Sequence, residues 1–238
     1  METPLSAASE IAIATLRERA PQAFDLAAQF KAAGFHLALV GGPVRDSLLG
    51  RLGNDLDFTT DARPDDTKKL LKKWATDVWD VGIKFGTIGG KKDGVTYEIT
   101  TYRADSYASD SRKPDVNFGN SINEDLLRRD FTVNAMAIEL TTPTPEFIDP
   151  HNGVTDLLKK TLRTPSSPEL SFSDDPLRML RAARFAAQLG FTIDEGVLSA
   201  MQDMADRLAI ISAERIRDEF SKIVMSDNPR VGITILVD

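Results

Sequence analysis

The stretch HLALVGGPVRDSLLGRLGNDLDFTT, residues 36–60, constrains the chain more than any other. Its first five residues form a short apolar run of strand character. Gly41-Gly42-Pro43 then breaks the strand and opens a short helix, VRDSLLG, which ends at Gly50. DLDFTT follows as a second strand. Strand and helix in such close alternation predict a mixed α/β beginning. Within the second strand Asp55 and Asp57 are two apart, so both side chains leave one face and their carboxylates can converge on one divalent cation. Mg²⁺ suits that pattern, because it is commonly held by one or two carboxylates together with waters and substrate phosphates. A solvated strand edge has the same appearance.

Upstream, Phe24, Leu26, Ala27, Phe30 and Ala33 repeat with a helical period, and Gly34 supplies a stop. Downstream, Pro64 opens a helix running to about Trp74. FGTIGGKK and VTYEITTYR flank Asp93-Gly94, a dipeptide that favours a tight hairpin. Residues 105–121 are polar and read as a long exposed loop, a lid or flexible segment. From about Ile122 the pattern turns helical. After the DPHNG turn at 149–153 and a short LRTP strand, nearly everything to residue 226 is expected to be helix. The expectation is an α/β head with a mixed sheet over residues 1–164, followed by an all-α neck over 165–238. The apolar ending VGITILVD suggests a chain that continues in a longer protein.

Composition narrows the chemistry. With 238 residues, 42% of them hydrophobic, the chain can bury one substantial core or two smaller ones. It has no cysteine, which excludes disulfides, thiolate zinc sites and cysteine nucleophiles, and His36 and His151 are its only histidines. A metal must therefore be held mainly by oxygen. No apolar run is long enough to cross a bilayer and METPLSAASE has no signal-peptide order, so a soluble cytoplasmic protein with no membrane partner is expected. The formal charge of −7 argues against coating nucleic acid by bulk electrostatics. Local basic clusters do occur, at Lys68, Lys69, Lys72 and Lys73, at Lys91 and Lys92, and at Arg178, Arg181 and Arg184. The lysines read as solvated faces.

Three constellations have two readings each. Gly41 and Gly42 let the backbone approach a ligand, and the following helix start with Arg45 offers donors to a polyphosphate; equally, the pair is only a turn. No Gly-Lys-Ser/Thr follows, so this is not a Walker loop. Arg128, Arg129, Asp130 and Asn134 are polar residues in and beside an otherwise apolar, helix-like run, where a buried Arg-Asp bridge pinning two helices would account for them. Asp175 and Arg178 lie three apart near the start of a neck helix, a spacing that suits an ordinary helix ion pair. The same two groups present an acceptor beside a donor, which complements cytosine N4/N3 and adenine N6/N1 but not uracil or guanine.

Read together, VGGPVRDSLLGRLGNDLDFTT, EDLLRRDFTVNAMAIEL, DPHNGVTDL, SFSDDPLRMLRAARFAAQLGF and ISAERIRDEF resemble, in order, the motifs of one branch of the nucleotidyltransferase superfamily. That branch holds the bacterial CCA-adding enzymes (class II) and bacterial poly(A) polymerases, and the resemblance covers roughly residues 35–225. It implies a polymerase-beta-like head, with Asp55 and Asp57 holding Mg²⁺ and Glu98 as a third carboxylate. It implies that Arg128, Arg129, Asp130 and Asn134 contact the ribose and triphosphate, that Asp175 and Arg178 face the base of CTP or ATP, and that Arg181 is a further nucleotide-binding residue. The partner implied is the 3′ end of tRNA, with the main tRNA-gripping regions outside this chain. One departure stands out: Asp174 occupies a position where related enzymes usually carry Glu.

Overall fold

The computed structural model describes residues 4–80, 82–103, 118–119 and 121–237. Two helices lead, α1 (Pro4–Arg19) and α2 (Gln22–Ala32), the second stopped by Gly34 at φ 83°. The sequence pattern gives no sign of α1, whose buried positions are Ala8, Ala12 and Leu16; alanines provide little hydrophobic contrast. Residues 36–60 fold as expected, into β1 (Ala38–Val40), α3 (Gly42–Leu48) and β2 (Asp55–Thr60). Then come α4 (Pro64–Trp74), β3 (Asp77–Trp79), β4 (Thr87–Lys92) and β5 (Val95–Thr101). β4 and β5 form the expected hairpin, with Asp93 at φ 49° and Gly94 at φ 81°, the positive angles that a two-residue turn between twisted strands requires.

The expectation of continuous helix from Ile122 needs correction. Only α5 (Ile122–Leu127) forms there; the chain then re-enters the sheet as β6 (Ala137–Glu139) and β7 (Glu146–Ile148). All three residues of β6 are buried, and a short apolar run buried on both faces carries no period that separates strand from helix. After α6 (Gly153–Lys159) and β8 (Thr161–Leu162), the chain continues as α7 (Pro168–Asp174), α8 (Leu177–Leu189), β9 (Thr192–Ile193), α9 (Glu195–Asp203), α10 (Ala213–Val224) and α11 (Pro229–Val237). Most of the expected loop at 105–121 lies outside the described residues. Among the described residues no helix is long and apolar enough to cross a membrane.

The main sheet is mixed, in the order β3-β4-β5-β2-β1-β6-β7, with β2 and β5 its parallel pair. Its inner face buries Leu39, Leu56, Phe58, Ile88, Tyr97 and Ile99 in a core shared with α1, α2 and α4. On the outer face α5 covers β1 and β6, through Leu126 packed with Ala38, Val40 and Ala137. A second core gathers Phe131, Val133, Leu157 and Leu162 with Phe172, Met179, Phe185, Phe191, Val197 and Met201 of the helical part. Each such fully buried large side chain contributes about 1.5–3 kcal/mol, so this core binds the sheet and the helices into one structure.

Candidate active site

The carboxylates are placed by register. β2 and β5 run parallel with Asp57 opposite Glu98 and Asp55 opposite Thr96. Register partners point to the same side of a sheet, so Asp55, Asp57 and Glu98 share the outer face, where all three are exposed, while their neighbours Leu56 and Tyr97 are buried inward. Asp57 opens onto a cleft, yet loss of solvation still raises its carboxyl to about 6; Arg129 opposes the rise, and Glu98 and Asp55 add to it. Crowded carboxylates of this kind are stabilised by a divalent cation. Among the described residues no three carboxylates or imidazoles are grouped tightly enough to enclose a cation unaided. Carboxylate oxygens on one face suit a hard cation that completes its shell with water and phosphate oxygen.

The cleft beside Asp57 has a volume of about 430 Å³. It is lined by Val40, Asp57 and Thr100 of the sheet, by Arg128, Arg129 and Asp130 just after α5, and by Asp175, Arg178 and Arg181 at the start of the helical part. Asp55 and Glu98 stand outside its lining, and so do Gly41, Gly42, Arg45 and Asn134.

Those last four belong to the layer behind the lining. Arg45 is buried, donates to Asn134 Oδ1 at 2.7 Å and forms a two-point pair with Asp46 at 3.0 and 2.9 Å. Asn134 in turn donates to Asp130 Oδ1 at 3.0 Å, and Arg181 Nε reaches Asp130 Oδ2 at 2.8 Å. Burial alone would raise Asp130, but the Arg181 guanidinium, helped by Asn134, holds it down at about 2. Gly41 has φ 75°, and a β-carbon there would come 2.8 Å from Arg129 Nη1. Glycine is favoured there by the backbone angle, since the Arg129 tip could move aside, whereas Gly42 would meet Arg45 Nη2 at an ordinary 3.6 Å.

Asp175 and Arg178 have separate partners. Asp175 accepts from Leu177 N at 3.1 Å and from Arg215 Nη2 at 2.9 Å, while the buried Arg178 donates to Ser171 Oγ at 2.9 Å and to the Arg128 carbonyl. The Asp-Arg pairing that pins two segments is found elsewhere, between Asp130 and Arg181. Sequence reasoning missed three charged residues of the cleft, Arg103, Asp125 and Arg215. Asp125 was findable, since its buried carboxylate pairs with Arg128 and Arg129 at i+3 and i+4. Arg215 lies within the ISAERIRDEF block, but its pairing with Asp175, 40 residues away, is visible only in the fold. The same holds for Glu219, buried on α10, which accepts from Arg184 at 2.6 Å.

The mixed sheet presents paired carboxylates beside an arginine-lined cleft. The chain belongs to the family described as the Poly A polymerase head domain, which matches residues 37–163; a second family, "Probable RNA and SrmB- binding site of polymerase A", matches residues 190–238. It is 43% identical over 207 residues to a CCA-adding enzyme of Lactobacillus helveticus, covering 87% of this chain and 50% of that one. Among solved structures, the Bacillus stearothermophilus CCA-adding enzyme in complex with CTP superimposes with a TM-score of 0.79 at 33% identity, covering 99% of this chain and 52% of that chain. A tRNA nucleotidyltransferase complexed with a primer tRNA and an incoming ATP analog gives a TM-score of 0.72 at 30% identity, covering 89% of this chain and 58% of that one. The chain spans about half the length of the curated relatives it matches.

Proposed function

We propose that this chain is the catalytic portion of a template-independent RNA nucleotidyltransferase that adds C and A residues from CTP and ATP to the 3′ end of tRNA, releasing pyrophosphate. The observation that carries the reading is the Asp57–Glu98 register beside a cleft lined by arginines. Similarity to CCA-adding enzymes, one of them solved with CTP, supports the choice of substrate. In this reading residues 1–164 act as the catalytic head and 165–238 as the neck that meets the base. Asp55 and Asp57 hold Mg²⁺ with Glu98 alongside, and when bound the ion supplies positive charge to the attacking 3′-oxygen and the leaving pyrophosphate. Arg128, Arg129 and Arg181 neutralise the triphosphate. Asp130 and Asn134 meet the ribose, and the lone pairs of Asp175 left over by Leu177 and Arg215 accept from the amino group of C or A. Gly41, Gly42 and Arg45 fix the lining from behind.

The family description favours a second reading, addition of A alone to RNA 3′ ends. The test incubates the full-length protein and Mg²⁺ with tRNA lacking its CCA end, supplied with CTP alone or ATP alone. Incorporation of C on the trimmed tRNA is expected. Failure with CTP and a growing tail with ATP would assign poly(A) synthesis instead, and no incorporation of either would reject nucleotidyl transfer.

A further inference from the structure

The register that aligns Asp57 with Glu98 continues across the sheet, from Glu98 to Gly89 on β4 and from Gly89 to Trp79 on β3. These four residues form one row, and its side chains lie on the outer face. Trp79 does not serve the core: its neighbour Val78 packs inward, while Trp79 is half-buried on the carboxylate side. Its indole leans back over the sheet. A β-carbon on Gly89 would lie 2.1 Å from both Nε1 and Cε2 and 2.6 Å from Cζ2, so the ring occupies the room that glycine leaves. A large aromatic is thus held beside the third carboxylate, where it adds nothing to the inner core.

The position has a direction. α5, which bears the cleft arginines at its end, covers β1 and β6, on one side of the carboxylate strands β2 and β5. Trp79 lies on the opposite side of them. In-line displacement at phosphorus places the attacking oxygen opposite the leaving pyrophosphate. If the triphosphate lies along the arginines, the RNA 3′ nucleotide comes in over Glu98 and Gly89, and its base arrives at the indole. We propose that Trp79, seated on Gly89, is the stacking platform for the terminal base of the RNA strand being extended. The proposal rests on the nucleotidyl-transfer reading of the Asp57 site. Stacking accepts any base, which suits a site whose terminal base changes as the product grows.

The experiment uses the full-length enzyme and tRNA lacking its CCA end, with a second substrate whose terminal nucleotide is abasic. Trp79→Leu keeps apolar volume but removes the flat ring, and Trp79→Phe restores a ring. The KM for RNA is expected to rise roughly 10- to 100-fold in Trp79→Leu, with the KM for CTP unchanged and most of the loss recovered in Trp79→Phe. The abasic end should penalise the wild type by a similar factor and Trp79→Leu hardly at all, since the two changes remove the same contact. An unchanged RNA KM in Trp79→Leu, or an abasic penalty equal in both enzymes, overturns the platform while leaving nucleotidyl transfer standing. A wild-type enzyme that incorporates nothing overturns both. The unchanged CTP KM shows that the variant is folded, so a uniform loss in both KM values counts against the proposal.

Discussion

Asp57 and Asp130 titrate in opposite senses, and the sign of each follows from its surroundings. Loss of solvation raises Asp57 to about 6 from 3.8, with Glu98 and Asp55 adding to the rise against Arg129. The cation-free fold therefore holds this proton more tightly than the unfolded chain does. The contribution to stability is full below the unfolded value and is lost as pH rises through about 6. Asp57→Asn should consequently melt higher than the wild type at neutral pH in EDTA, by less than about 1 kcal/mol because solvent screens an open cleft, while incorporation drops to background. Melting curves at pH 4 and pH 7.5 check this; an equal gap at both would refute the assignment. Asp130 is held down at about 2, so its contribution is present above the unfolded value and disappears as pH falls through the folded one. That amounts to about 2 kcal/mol of acid resistance. Asp130→Ala leaves the part-exposed Arg181 with Glu219 at 4.0 Å and frees Asn134, and should cost about 1–3 kcal/mol in urea unfolding; an unchanged midpoint would show that the bridge is solvent-relaxed. Asp55 and Asp57 could be singled out in the sequence because their spacing is local, whereas Glu98, on another strand, came only from the family resemblance. The partners of Asp130, Arg45 and Asp175 could not be singled out, since they lie 51, 89 and 40 residues away and only the fold chooses among the available polar side chains.

The elements that could be read are those whose start or stop is chemical. Pro64 begins α4, Gly34 follows α2, and Asp93-Gly94 turns the hairpin. β6 escaped because Ala137, Ile138 and Glu139 are buried on both faces, and α1 because alanine carries so little contrast. α6 shows how tightly one element can be fixed. Asp149 accepts from Gly153 N at 2.6 Å and from Val154 N at 3.0 Å, capping the helix, and Asn152 enters it at φ 60°. A β-carbon on Gly153 would stand 2.3 Å from the Thr132 carbonyl oxygen and 2.8 Å from Met136 Cγ. Backbone cannot yield as a side-chain tip can. Gly153→Ala is expected to destabilise the protein by about 1–3 kcal/mol through overpacking, measured by denaturant midpoint, and an unshifted midpoint would mean that α6 slides freely.

At the scale of the whole molecule, the functional division proposed near residue 164 does not coincide with a gap in packing. Phe131, Val133, Leu157 and Leu162 lie before it, and they are buried by Phe172, Met179, Phe185 and Phe191 beyond it. Residues 1–164 expressed alone would expose those four side chains, and rapid proteolysis after about residue 130 with a loss of cooperative melting is expected; a sharp transition matching the parent chain would show that the sheet is self-sufficient. The two tryptophans, finally, stand in unlike surroundings. Trp74 is buried edge-on to Tyr97 with ring centroids 4.8 Å apart, whereas Trp79 is half-buried on the outer face of the same sheet. The protein thus carries two tryptophan fluorophores that acrylamide quenches unequally, the inner one reporting the state of the core and the outer one the carboxylate face, with no label attached.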